Sequence, residues 1–186
     1  LSISGTDMDI AITTAVDCAV EEEGMVTVNA KRFMSMIREL PEGDITVLED
    51  GDRVTVTFES GRSSIMGMPA ADFPAVKEDV EGVSVPLSGE DFVRMVDKAG
   101  FAVAADRTRA ALTGVFWRIR PEGMVMVSTD GHRLSLLDKQ EKIQTGEVTE
   151  SIVPQKALAQ VSRIVSGGLE LGRVVFGQGV ILFDFG

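Results

Sequence analysis

The 186 residues suffice for one large domain or two modest ones; 44% apolar residues, a mean hydropathy of +0.15 and 25% charged residues supply a core and argue against disorder. No apolar run approaches the roughly twenty residues of a membrane-spanning helix, the opening residues do not read as a secretory leader, and the lone Cys18, read as a small buried hydrophobe in a reducing cytoplasm, excludes an internal disulfide. A net charge of −11, taken as a sum, argues against a nucleic-acid partner, because affinity for a polyanion comes from basic residues that release counterions; the distribution of charge therefore matters more than its total.

In chain order, strand-like runs are expected at 1–4, 26–28, 53–58, 83–85, 115–119, 124–128, 152–153, 174–176 and 180–185. Several alternate apolar and polar side chains, as in Val54-Thr55-Val56-Thr57-Phe58, which is the pattern of half-buried antiparallel strands. Asp50-Gly51, Glu59-Ser60-Gly61 and Pro121-Glu122-Gly123 supply turn chemistry between them. Residues 69–74 carry two prolines and are read as irregular, and 77–82 as a charged linker. The chain opens inside a strand-like run without a methionine, and its last run reads as a strand without its partner, so a fragment of a longer polypeptide is expected.

Three helices are expected, at 29–39, 88–99 and 154–165, and they look like a repeat. The first offers an apolar stripe of Phe33, Met36, Ile37 and Leu40; a shift of 59 residues gives Phe92, Met95, Val96 and Ala99, and a shift of 125 gives Leu158, Val161 and Val165, with Ser162 in the isoleucine's place. Asn29 and Ser88 suit N-caps and Pro154 a first helical turn. Lys31 and Arg38 lie opposite the first stripe and Lys156 and Arg163 opposite the third, each pair seven residues apart and so on one exposed face; the second helix carries Glu90 and Asp97 there. Two helices are thus basic on one face in a protein whose remainder is strongly acidic, an arrangement suited to holding DNA loosely without reading its sequence. Most of the nine methionines are read as packing.

The stretch Val127-Ser128-Thr129-Asp130-Gly131-His132-Arg133-Leu134 resembles the T-D-G-H-R-L signature of bacterial sliding clamps, the beta subunits of DNA polymerase III. Further matches follow in order: Ser4-Gly5-Thr6-Asp7, Gly61-Arg62-Ser63, Pro69-Ala70-Ala71-Asp72-Phe73-Pro74, Phe101-Ala102, Arg109 with Leu112-Thr113-Gly114, and Ile152-Val153-Pro154. The resemblance implies an α+β DNA-clamp fold with antiparallel sheets outside and helices lining the inner face. Residues 1–76 would be the latter part of a first domain, 77–82 a linker and 83–186 most of a middle domain, with a third domain absent. It implies a cytoplasmic processivity factor: a two-subunit ring around duplex DNA that tethers the replicative polymerase, with no catalytic residue, metal or cofactor of its own. Partners would be double-stranded DNA, the polymerase III catalytic subunit, the clamp loader and other proteins carrying short clamp-binding peptides. The peptide-pocket residues carried over are Leu112, Thr129, Gly131, His132, Arg133 and Leu134, and the DNA-facing ones Lys31, Arg32, Arg38, Arg107, Arg109, Lys156 and Arg163. Where several relatives place aromatic residues after the loop arginine this chain has Ala110 and Ala111, which weakens the expectation of direct DNA contact from that loop.

Two rivals stand against this reading. Asp130, His132 and Ser128 suggest a hydrolase, but three residues within five positions of one strand and turn do not assemble a triad easily. No phosphate-cradling glycine loop and no His/Cys ligand spacing is present. The other rival is an acidic interaction scaffold that never meets DNA, which composition alone leaves open.

Overall fold

Alternation and glycine turns fold the first part of the chain into hairpins. The computed structural model describes residues 1–77, 79–106 and 108–186, in two compact units, Leu1–Val76 and Lys77–Gly186. In the first unit, β1 (Ser2–Thr6) pairs antiparallel with β2 (Ala11–Ala15). After β3 (Val26–Val28) and α1 (Ala30–Arg38) come β4 (Thr46–Asp50), β5 (Arg53–Phe58) and β6 (Gly61–Pro69), in a sheet of order β3-β6-β5-β4. Asp50 pairs with Arg53 across a two-residue turn whose Gly51 sits at φ 61°, the left-handed region glycine enters without strain. Val54 and Val56, two apart on β5, both point inward and are the buried apolar residues of this unit. Helix α1 begins where the Asn29 Oδ1 accepts the Arg32 amide at 3.2 Å, and its stripe is only half-buried.

The second unit is built around a continuous core. It runs β7 (Gly82–Pro86), α2 (Gly89–Gly100), β8 (Gly114–Arg120), β9 (Gly123–Thr129), β10 (Leu134–Gln140), β11 (Thr149–Pro154), α3 (Gln155–Ser166), β12 (Arg173–Gly177) and β13 (Val180–Asp184). The strands form two antiparallel sheets, β10-β9-β8-β11 and β13-β12-β7. Phe92, Met95, Val96 and Ala99 of α2 and Leu158 and Val161 of α3 pack with Val115, Trp117, Ile119, Met124 and Met126 of the larger sheet and Val85, Val174 and Phe176 of the smaller. The Trp117 and Phe176 rings meet edge to face at 5.0 Å, and Phe92 and Phe183 at 5.5 Å.

Three side chains tie the end of α2 to its surroundings. A helix leaves its last carbonyls without intrahelical partners. Here the Ser135 Oγ donates to the Lys98 carbonyl at 2.5 Å, the Ser128 Oγ to that of Ala99, and the Gln155 Nε2 to that of Gly100 at 3.0 Å. Strands β9 and β10 and the start of α3 are thereby fastened to one helix end.

The three expected helices are present with ends displaced by about one residue. The last strand, read as unpartnered, pairs with β12 throughout, from Gly177–Val180 to Arg173–Asp184, because Gly179 at φ 71° closes a hairpin. Pro154 ends β11 at φ −55°, ψ 134°, and stands at the N-cap of α3 rather than in its first turn. The stretch 69–74, read as irregular, ends β6 and then makes one 3-10 turn at Ala70–Asp72, which proline's fixed φ permits. Cys18 is exposed, not buried: it lies in an irregular exposed stretch and its Sγ accepts from the Leu1 amino group at 3.3 Å. The methionines divide by unit: Met8, Met25, Met34, Met66 and Met68 are exposed, Met36 is half-buried, and Met95, Met124 and Met126 are buried, so most are not core packing. Of the expected linker, Gly82 already belongs to β7, where it pairs with Gly177, and residue 78 lies outside the described residues.

Candidate docking turn and basic helix faces

The hairpin between β9 and β10 is held by its own short side chains. The Asp130 Oδ1 accepts the amides of His132 and Arg133, both at 2.9 Å, in the side-chain mimicry of a backbone turn that aspartate favours. The Thr129 Oγ1 accepts the Gly131 amide at 3.1 Å and donates to the Arg133 carbonyl at 2.7 Å. Gly131, at φ 90°, fills the position a side chain would strain. The Arg133 amide first and the His132 amide second hold the Asp130 carboxyl down to about 2, because both bonds favour its ionised form. The Arg133 Nε donates to the Asp130 Oδ2 at 3.0 Å, and its guanidinium lies over the Phe101 ring, 5.5 Å from the centroid.

A second turn abuts this one. Residues 110–112 form a 3-10 turn whose Leu112 amide donates to the Arg109 carbonyl at 2.9 Å, and the Leu112 carbonyl accepts the Ala104 amide at 2.9 Å. A Cβ placed on Gly131 would stand 3.5 Å from the Arg109 Nη1. The fold thus draws Arg109, expected toward DNA, against Gly131, expected in the peptide pocket. Leu112 and Thr129 are half-buried, whereas Gly131, His132, Arg133 and Leu134 are exposed. None of the six lines the cavity of about 320 Å³ beside Ser88, Asp91 and Lys139 or that of about 390 Å³ beside Glu90, Val165 and Leu169. Four of the six are thus on the open surface, Leu134 at 61% exposure, and Phe101 beside them is 55% exposed.

The expected DNA-facing cations fall on both units. Lys31, Arg32 and Arg38 are exposed on α1 and Lys156 and Arg163 on α3; Lys31 and Arg38 lie across from the first stripe and Lys156 and Arg163 across from the third, with Arg32 on the flank. Arg109 is exposed, and Arg107 lies outside the described residues. The first turns of α1 and α3 hold no acidic residue and instead carry Lys31, Arg32 and Lys156, whereas α2 begins with Glu90 and Asp91. Cations at a helix N-terminus oppose the macrodipole, so these two helices accept a small cost that α2 does not.

The residues of the hydrolase reading have structural partners instead. Ser128 is buried and donates to Ala99, and both Asp130 oxygens are occupied within the turn. Among the described residues no three His, Cys, Asp or Glu side chains converge on a metal position, and no helix is long and apolar enough to cross a membrane. Sequence reading missed the contributions of Phe101 and of Ser128, Ser135 and Gln155; the first had a signal, an aromatic directly after a helix, and the serines had none.

The helices packed on antiparallel sheets superpose on solved DNA-clamp structures and so belong to the α+β DNA-clamp class. The family described as DNA polymerase III beta subunit, N-terminal domain, matches residues 1–77, and that described as its central domain matches residues 86–186. The chain belongs to the DNA polymerase III beta-subunit family. Among relatives, the beta sliding clamp of Synechocystis is 31% identical over 207 residues, covering 100% of this chain and 53% of that protein, and that of Caulobacter vibrioides is 28% identical over 193 residues, covering 100% and 52%. The beta subunit from Pseudomonas aeruginosa superposes with a TM-score of 0.89 at 26% identity over 98% of this chain and 51% of that one; a putative beta subunit from Eubacterium rectale gives 0.90 at 26% over 100% and 51%. The chain spans about half the length of the relatives it matches.

Proposed function

We propose that this chain is part of a non-catalytic DNA polymerase processivity factor, a cytoplasmic ring that encircles duplex DNA and tethers the replicative polymerase. Its first unit is the latter part of a first clamp domain and its second most of a middle domain. Dissociation is opposed by topology, so weak phosphate contacts from Lys31, Arg32, Arg38, Arg109, Lys156 and Arg163 suffice, and an acidic protein can slide on a polyanion. Arg107 joins this set by sequence position alone.

The observation that carries the reading, beyond family membership, is the exposed surface where the Thr129–Asp130–Gly131–His132–Arg133 turn meets the Leu112 turn. Leu112 and Leu134 offer an apolar anchor point, and Gly131 lets a backbone approach closely. The polymerase III catalytic subunit, the clamp loader and other partners dock short peptides there. The opposing wall comes from a third domain, and a homodimer closes the ring. Titration of a fluorescent peptide from a polymerase tail into the subunit carrying this sequence tests the site. Saturable binding is expected, with at least a roughly tenfold loss in a folded Leu112→Asp, Leu134→Asp variant, because a docked apolar anchor would then cover a charge without a partner. Equal binding by the variant removes the docking assignment.

A further inference from the structure

The Phe101 side chain is unexplained by the core. It follows α2 directly as its C-cap residue, remains 55% exposed, and its described ring contact is with a cation, the Arg133 guanidinium at 5.5 Å. On its other side Arg133 donates Nε to the Asp130 Oδ2 at 3.0 Å, and its side chain is nevertheless 58% exposed. A long, rotamer-rich side chain is thus held at two points while its Nη groups donate to no described residue. Ser128 and Ser135 fasten the strands on either side of the turn to the carbonyls of Ala99 and Lys98, two and three residues before Phe101, so the ring and the turn share one anchor. The negative end of the α2 dipole lies on that side and favours a cation there.

We propose that Phe101 and Asp130 are positioning residues for peptide docking: they hold the Arg133 guanidinium in one orientation, from which its Nη groups donate to an acceptor oxygen of the docked peptide. The proposal rests on the docking surface described above and adds two residues that touch no peptide themselves. Pre-arranging a donor lowers the ordering cost of binding without a new contact. Asp130 does this in its ionised form while its other oxygen, Oδ1, keeps the turn closed. Phe101 contributes through its ring face, so an aliphatic side chain of similar bulk does not replace it.

Nuclear magnetic resonance of the 186-residue chain reads the positioning without any ligand. The Arg133 Nε–Hε signal is expected to be ring-current shifted and slow to exchange, to lose the shift in Phe101→Leu, and to keep it in Phe101→Tyr. In peptide titrations of the subunit, Phe101→Leu and Asp130→Asn are each expected to weaken binding about two- to fivefold, with Phe101→Tyr close to wild type. In an Arg133→Ala background, Phe101→Leu is expected to cause no further loss, as a residue acting through Arg133 must. A loss of equal size in that background, wild-type affinity in Phe101→Leu, or an unshifted Hε signal overturns the proposal. Failure of the wild type to bind peptide at all, with the Hε shift intact, overturns the docking reading and takes this proposal's function with it while leaving the held arginine in place.

Discussion

Helices α1 and α2 carry the same stripe and meet different fates. Phe33, Met36, Ile37 and Leu40 in one unit match Phe92, Met95, Val96 and Ala99 in the other position for position, and each helix begins with a side-chain N-cap at 3.2 Å, Asn29 to Arg32 and Ser88 to Asp91. The stripe of α2 is between 0% and 7% exposed, while no residue of α1 is buried. The difference lies in the company. Helix α2 packs beside α3 and over β8, β9 and β10, and its last three carbonyls take side-chain donors; α1 packs on β6 and ends on backbone bonds, Glu39 to Met36 and Leu40 to Ile37. An apolar stripe is therefore a local property, and its energetic worth is decided by what faces it.

The largest effect that could break this comparison is expected at its matched aromatics. Phe92→Ala should cost about 3–5 kcal/mol, the range for emptying a packed core site, and Phe33→Ala about 1 kcal/mol, because a half-buried ring forfeits less apolar area. Urea unfolding followed by Trp117, the single tryptophan, reports the second unit; Phe33→Ala should leave its midpoint in place. Equal costs at both sites would mean that the stripe alone sets stability. A smaller effect, about 1–3 kcal/mol, is expected of Ser128→Ala, which strips the buried Ala99 carbonyl of its donor at the end of α2. The same denaturation measures it, and amide exchange should rise on both sides of the 129–134 turn. The smallest has the opposite sign. Ser162 occupies the stripe position of Ile37 and Val96, and its buried Oγ has no described partner. Ser162→Ala removes that hydroxyl and improves helix propensity, so it should stabilise by about 0.5–1 kcal/mol, read as a raised urea midpoint.

Much of this was legible in the sequence, for reasons that differ by element. The strands at 26–28 and 53–58 show as β-branched runs, and glycine turns delimit 53–58. Strand β10 does not, because Leu136-Leu137 breaks its alternation and Leu136 is 62% exposed. Strand β4 puts Val47 and Leu48 side by side, both exposed, and so lacks the period of a half-buried strand. At the candidate site the pattern Thr-Asp-Gly-His-Arg is local chemistry, and its turn could be read directly. The approach of Arg109 to Gly131, 22 positions along the chain, could not.

The sequence by itself determined the helix stripes and caps, the cations at the starts of α1 and α3, the closed turn around Asp130 and the family to which the chain belongs. These depend on residues within a few positions of one another, or on a motif order, and need no long-range contact. Tertiary structure alone decided which stripe is buried, which carbonyls of α2 are satisfied by Ser128, Ser135 and Gln155, and that Phe101 stands under Arg133. Those pairings join residues from 29 to 55 positions apart, or 32 for Phe101 and Arg133, and only the packing of strands against the helix end brings them within bonding distance.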